Sequence, residues 1–336
     1  MRATEMSSAP VVVAGIELAD EQLAERVATG LSAVESLLDR ELQSEFSFVT
    51  ETASHLMHAG GKRFRPLFTL VAAGIGPRPD SPDVVTAAAV VELIHLATLY
   101  HDDVMDEAEV RRGAKTANAR WNNSIAILTG DFLFAHASRL VADLGPDAVR
   151  IIAETFAELV TGQTRETVGV PSGGDPIEHH LLVLQEKTAS LIDTCGRYAG
   201  MFSGASPDEI EALRRYGRSV GVAFQIADDL LDIVATASGK TPGTDLREGV
   251  LTLPGLYTLR TGTDTRLIEL VSRPLRDDVD VAEALALLRQ SDGLAEARQT
   301  LDDYAADAAA ALEALQPSAA RDALSSLTRF VVERTR

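Results

Sequence analysis

Two acidic blocks hold the side chains best suited to chemistry. Asp102, Asp103 and Asp106 close the run LATLYHDDVMDEAEVRRG (residues 96–113), and Asp228, Asp229 and Asp232 close VGVAFQIADDLLDIV (residues 220–234). Both blocks read DDxxD. Four residues on an α-helix advance about 400°, so the first and last aspartates share a face, roughly 40° apart and about 6 Å along the axis. Like charges at that spacing destabilise a helix, and a bridging divalent cation reverses the sign. Magnesium takes one or two protein carboxylates and completes its shell with water and phosphate oxygens. Arg111 and Arg112, just beyond the first block, suit the phosphate. The plain alternative is a solvated acidic helix end, and the recurrence of the spacing after a second apolar run argues against it. Two facing carboxylate clusters suit a diphosphate that carries several magnesium ions.

Cations are placed to match. The chain has only four lysines, Lys62, Lys115, Lys187 and Lys240, and otherwise uses arginine. Lysine is a compact point charge that arginine does not reproduce on phosphate. Lys62 lies in GGKRFRP, Lys187 in EKTAS and Lys240 in SGKTPG. The first of these joins three cations to two glycines and a new helix start, with Pro66 in its first turn, which makes an anion site. His95 lies two turns before Asp102 on nearly the same face, where it is either a core histidine or a member of the polar pocket.

The surrounding pattern is helical throughout. Apolar spacing predicts helices over 19–42, 44–58, Pro82 to Asp106, Trp121 to Leu144, Pro146 to Val168, Ile177 to Ser203 and about 207–234, the last capped by Ser206, and further amphipathic helices from Leu251 onward. Residues 1–18 read as a loose arm, and residues 236–249 as a polar, glycine-rich loop long enough to act as a lid. No β-hairpin signal is found. The expectation is an all-α fold, one large helical bundle over residues 19–336 with a deep central cavity.

Composition narrows the function further. A formal net charge of −19 over 336 residues argues against nucleic acid as a partner. A lone cysteine, Cys195, suits a reducing cytoplasm. The first residues lack the features of a signal peptide, and no run reaches the ~18 apolar residues of a membrane span. No Ser/His/Asp triad suggests itself. Metal ions and cations can instead stabilise a departing diphosphate, leaving an allylic carbocation for an alkene to attack.

The blocks GGKRFRP, HLATLYHDDVMDEAEVRRG, EKTASLI, FQIADDLLD and GKTPGTDLREG occur in this order, and through them the chain resembles the trans-isoprenyl diphosphate synthases, the polyprenyl synthetase family, over about residues 20–330. It is most similar to the long-chain bacterial members. The resemblance implies a magnesium-dependent prenyltransferase with three magnesium ions per site. Asp102, Asp106 and Asp228 would hold the metal, supported by Asp103, Asp229 and Asp232. Arg111, Lys187, Thr188, Gln225 and Lys240 would contact the allylic diphosphate. Lys62, Arg65, His95 and Arg112 would bind isopentenyl diphosphate. It further implies a homodimer, and peripheral membrane contact for product release. One departure is Val250, which stands where many members carry a lysine. Ala97, five before the first aspartate, marks the floor of the product pocket by resemblance. It and Thr98 are small, which favours a long product. A short-chain synthase, a terpene cyclase and a non-catalytic partner subunit are the competing readings.

Overall fold

In a computed structural model, residues 11–13, 16–234, 242–262 and 264–335 are described. Helices dominate: α1 (Glu21–Glu41), α2 (Ser47–His58), α3 (Phe64–Ala72), α4 (Pro82–Met105), α5 (Ala117–Arg120), α6 (Asn123–Asp143), α7 (Pro146–Val168), α8 (Pro176–Val183), α9 (Ser190–Ser203), α10 (Pro207–Val234), α11 (Thr244–Glu248), α12 (Leu253–Thr261), α13 (Thr265–Val271), α14 (Asp278–Leu288), α15 (Asp292–Glu313) and α16 (Ala319–Glu333). The fold is all-α. Two compact units divide the chain, one of Met1–Phe156, Leu191–Arg214 and Ala314–Leu324, the other of Ala157–Ser190, Arg215–Glu313 and Ser325–Arg336. The first aspartate block belongs to the first unit and the second block to the second.

Local chemistry fixes the helices that carry the blocks. Ser81 caps α4, with its Oγ accepting from Asp83 N at 3.3 Å, and Pro82 occupies the first position, where its missing N–H is harmless. Nearly every residue of α4 from Ala87 to Tyr100 is buried, and the helix packs on α1, α3 and α6. It ends at Asp106, whose N–H donates to the Asp102 carbonyl at 2.8 Å. Helix α10 starts from a reciprocal cap: Ser206 N donates to Glu209 Oε2 at 2.8 Å and Glu209 N to Ser206 Oγ at 3.3 Å.

Several expectations are corrected. Part of the supposed loose arm is a β-hairpin, β1 (Val11–Val13) with β2 (Ile16–Leu18), paired antiparallel with Val11 opposite Leu18. Three successive valines favour extended backbone, and Val13 and Leu18 bury their side chains. A second hairpin pairs β3 (Val110–Arg111) with β4 (Ala114–Lys115). The predicted helix from Trp121 begins at Asn123, because the Asn122 side chain accepts from Ile125 N at 3.0 Å and starts a new helix there. The lid segment contains α11. Helices α4 and α6 are, after all, long and apolar enough to cross a membrane by length and composition, but 72% of the relevant window of α4 is buried within the protein.

The expected helix from Ile177 to Ser203 is interrupted by a π-helical stretch, Leu184–Ala189, which contains Lys187 and Thr188. Such bulges are rare and often mark functional positions. Gly162 on α7 makes room for this one: a Cβ there would lie 2.4 Å from Lys187 N and 2.9 Å from the Glu186 carbonyl carbon. Backbone atoms cannot swing aside as a flexible side chain can. Gly162→Ala is therefore expected to lower the free energy of unfolding by about 1–3 kcal/mol, read as a lower urea midpoint at unchanged slope. A wild-type midpoint would contradict the close approach.

Candidate active site

The first unit assembles a cluster of arginines and carboxylates around the C-terminal half of α4. Asp103 turns inward: its side chain is fully buried, and its Oδ1 accepts from Arg111 Nε. Its carbonyl accepts from Asn118 Nδ2 at 3.1 Å and from Ala108 N at 3.0 Å. Burial pushes the Asp103 carboxyl up, and the Arg111 guanidinium opposes that shift. Asp102 stays half-buried and Asp106 exposed. The middle aspartate thus ties the turn together, and the outer two stand at the surface of the helix end.

Arg111 sits on β3, and the tight β3–β4 turn places Arg112 and Gly113 at φ 55° and 77°, as hairpin turns of this handedness require. Arg112 Nη1 reaches back to the carbonyls of Leu56, at 3.2 Å, and Gly60. Gly61 makes that reach possible, since a Cβ there would meet Arg112 Nη1 at 2.8 Å. Arg63, left-handed at φ 48°, donates to the Met57 carbonyl at 2.9 Å and to Glu92 Oε1 at 3.4 Å. Glu92 is only 2% exposed. Burial lowers the pKa of Arg65, Arg112 and, well below its ordinary value, His95, where Arg65 adds to the effect followed by Arg112, Arg111 and Arg63. The guanidinia keep their protons, so His95 is held as a neutral imidazole among positive charges. Four arginines gather near two buried carboxylates, Glu92 and Asp103, and Arg63 also lies 3.7 Å from Glu35; clustered guanidinia of this kind suit a diphosphate. Lys62 is exposed beside them. Ala97 and Thr98 are buried on α4, and Thr98 Oγ1 donates to the His95 carbonyl at 2.8 Å. Burial raises the Cys195 thiol to about 12, which removes it as a nucleophile.

The second unit holds the other block in the last two turns of α10. Asp228 Oδ1 accepts from Arg334 Nη2 at 2.8 Å. Asp229 Oδ1 accepts from Gln225 Nε2 at 3.3 Å, and His180 Nε2 lies 3.5 Å from Asp229 Oδ2 without closing a hydrogen bond. Asp232 accepts from the backbone N–H groups of Thr244, at 3.2 Å, and Asp245, at 3.1 Å, and so anchors α11. Lys187 pairs with Glu166, and Thr188 is half-buried beside it. Lys240 lies outside the described residues.

These donors fit magnesium. Among the described residues no three His, Cys, Asp or Glu side chains converge into a ready-made metal cage, and magnesium needs only one or two carboxylates beside phosphate and water. Asp103 Oδ2 and Asp229 Oδ2 are buried without a hydrogen-bond partner, and such orphaned acceptors call for a cation or an ordered water. The structure gives four further residues a place in these clusters, Arg63, Glu92, His180 and Arg334. Arg63 lay in plain view within GGKRFRP, and Glu92 signalled itself as an acid in an apolar run. His180 and Arg334 gave no local sign.

Comparison with known proteins decides the family. The polyprenyl synthetase profile matches residues 47–288. The chain is 55% identical over 333 residues to nonaprenyl diphosphate synthase of Mycobacterium tuberculosis, covering 98% of this chain and 99% of that protein. A crystal structure of geranylgeranyl pyrophosphate synthase from Corynebacterium glutamicum, complexed with calcium and isoprenyl diphosphate, superposes with a TM-score of 0.87 at 49% identity, covering 95% of this chain and 99% of that one. A decaprenyl diphosphate synthase from Rhodobacter capsulatus gives 0.85 at 35% identity, covering 94% and 99%. The chain belongs to the polyprenyl synthetase family. It is a prenyltransferase, a trans-polyprenyl diphosphate synthase, and the expected resemblance holds along its length.

For this synthase the buried, neutral His95 sets a pH dependence. An unfolded histidine titrates near about 6.5, and folded His95 titrates well below that. Between the two values the unfolded chain binds more protons, so stability falls as pH drops below about 6.5. His95→Gln should flatten that part of the profile, measured as urea midpoints between about pH 5 and 7. Parallel profiles for wild type and variant would contradict the assignment.

Proposed function

We propose that this synthase condenses an allylic diphosphate with successive isopentenyl diphosphates into a long-chain, all-trans polyprenyl diphosphate. Residues 19–336 act as one catalytic domain in this reading. The observation that carries it is the pair of DDxxD blocks at helix C-termini, with arginines gathered at the first. Magnesium, when bound, neutralises the departing diphosphate and so lowers the barrier to its departure. Asp102, Asp106 and Asp228 would hold it, three ions in all, with Asp103, Asp229 and Asp232 in support through Arg111, Gln225 and the backbone N–H groups of Thr244 and Asp245. Arg111, Lys187, Thr188, Gln225 and Lys240 orient the allylic diphosphate. Lys62, Arg65, His95 and Arg112 orient isopentenyl diphosphate, with Arg63 and Glu92 fixing the arginines. The allylic C–O bond breaks with its electron pair on the diphosphate. The isopentenyl double bond supplies the pair for the new C–C bond, and a proton then leaves.

Long chain length is supported by the small side chains of Ala97 and Thr98 on the helix that leads to Asp102, and by the nonaprenyl and decaprenyl synthases among the relatives. A geranylgeranyl-length product is the second reading, favoured by the Corynebacterium glutamicum enzyme. Homodimerisation is supported by two exposed apolar side chains on α6, Ile127 and Leu128, 43% and 61% exposed. We place the enzyme in the cytoplasm, with peripheral membrane contact for product release.

The test is product analysis. Purified chain with magnesium, an allylic diphosphate and labelled isopentenyl diphosphate should give long products by chromatography after dephosphorylation, and EDTA should abolish them. Ala97→Phe, checked for intact helicity by circular dichroism, should still complete the first condensation but shift products towards short chains. Wild-type product of geranylgeranyl length, or an unchanged distribution in the variant, would overturn the long-chain reading. Cyclic hydrocarbon, or no product from the chain alone, would overturn the synthase reading.

A further inference from the structure

Arg334 lies in the turn that follows α16, far along the chain from the aspartates. Its Nη2 donates to Asp228 Oδ1 and to the Phe224 carbonyl, both at 2.8 Å, and its guanidinium lies 4.3 Å from the centroid of the Phe224 ring. Phe224 and Asp228 are four apart on α10 and so share one face. The arginine side chain is 15% exposed and the aspartate 43%, so the cation sits inside and the carboxylate faces out. Burial pulls the Arg334 pKa down, and the Asp228 charge pushes it back. The guanidinium remains ionised regardless. A carboxylate offers about four lone-pair sites, so one arginine bond does not exhaust it.

A fixed positive charge beside a metal-binding carboxylate acts in two ways. It repels a bare divalent cation that approaches Asp228. It attracts a diphosphate, whose negative charge exceeds that of one bound magnesium. Stacking on Phe224 also holds the guanidinium, and with it Asp228, in one orientation. We propose that Arg334 is a positioning residue of the second aspartate cluster, holding Asp228 to take metal together with diphosphate rather than metal alone. This rests on the reading of Asp228 as a magnesium ligand.

The experiment is a magnesium titration of thermal stability on the full chain, with and without inorganic diphosphate, for wild type, Arg334→Gln and Arg334→Lys. With the charge removed, the magnesium midpoint of Arg334→Gln should fall about threefold without diphosphate and rise about tenfold with it, the opposite signs expected from Coulomb's law. Arg334→Lys keeps the charge and loses the planar fork. It should retain the wild-type midpoint without diphosphate and show a raised one with it. A structural clamp alone would lower the melting temperature and leave both midpoints where they are, and that result overturns the proposal. If Arg334→Gln does not fold, an unchanged midpoint with diphosphate in Arg334→Lys overturns it instead. Wild type that gains no stability from magnesium with diphosphate would refute the metal reading itself, which is a separate failure.

Discussion

Both aspartate blocks stand at the C-terminal ends of long helices, where the unpaired carbonyls already concentrate negative charge. Three acids in the last turn and C-cap of α4, and three in the last two turns of α10, oppose the helix macrodipole as well as one another. The protein bears this arrangement by giving the acids unequal surroundings. Asp103 is buried against Arg111, Asp229 is held by Gln225, and Asp232 caps the turn into α11. Asp102 and Asp106 are left partly or fully facing outward. Within each DDxxD, then, the middle aspartate is buried against a neighbouring side chain, and the first stands more open to solvent.

The arginines complete the electrostatics of the first unit. Arg63, Arg65, Arg111 and Arg112 come from two sequence segments that meet because Gly61 leaves space for Arg112 and because Arg63 and Arg112 accept left-handed backbone. Strain of that kind, on the order of 1–3 kcal/mol per residue, persists where the surrounding contacts over-determine it. Here those contacts are hydrogen bonds to the carbonyls that end α2. Glu92, Glu35 and Asp103 hold two of these guanidinia in ion pairs, Arg63 with the two glutamates and Arg111 with Asp103. His95, kept neutral by burial and then by the same arginines, can donate a hydrogen bond without adding to the charge.

Much of this was legible in the sequence because it is local. The DDxxD spacing, the GGKRFRP turn, the Ser206 cap and the length of α10 each follow from residues within a few positions of one another. Contacts that join distant segments left no such trace. Arg334 has no periodicity that points to Asp228, and His180 none that points to Asp229. The π-helical stretch at Lys187 depends on Gly162 of another helix, so a reading of 177–203 alone gives one continuous helix. The β1–β2 hairpin was missed because three valines and an Ile-Glu-Leu are too short a signal beside a composition dominated by helix formers.

In the proposed reading, the charges of Asp102 and Asp106 destabilise the end of α4 until a cation arrives. Asp106→Asn tests this directly, by urea unfolding of wild type and variant in metal-free, low-salt buffer, repeated with magnesium and inorganic diphosphate. Removing the charge from the C-terminal end of α4 should raise metal-free stability by a few tenths to about 1 kcal/mol, and the added stability that wild type gains from magnesium with diphosphate should shrink in the variant. A variant less stable than wild type without metal, yet equally stabilised by magnesium and diphosphate, would contradict it.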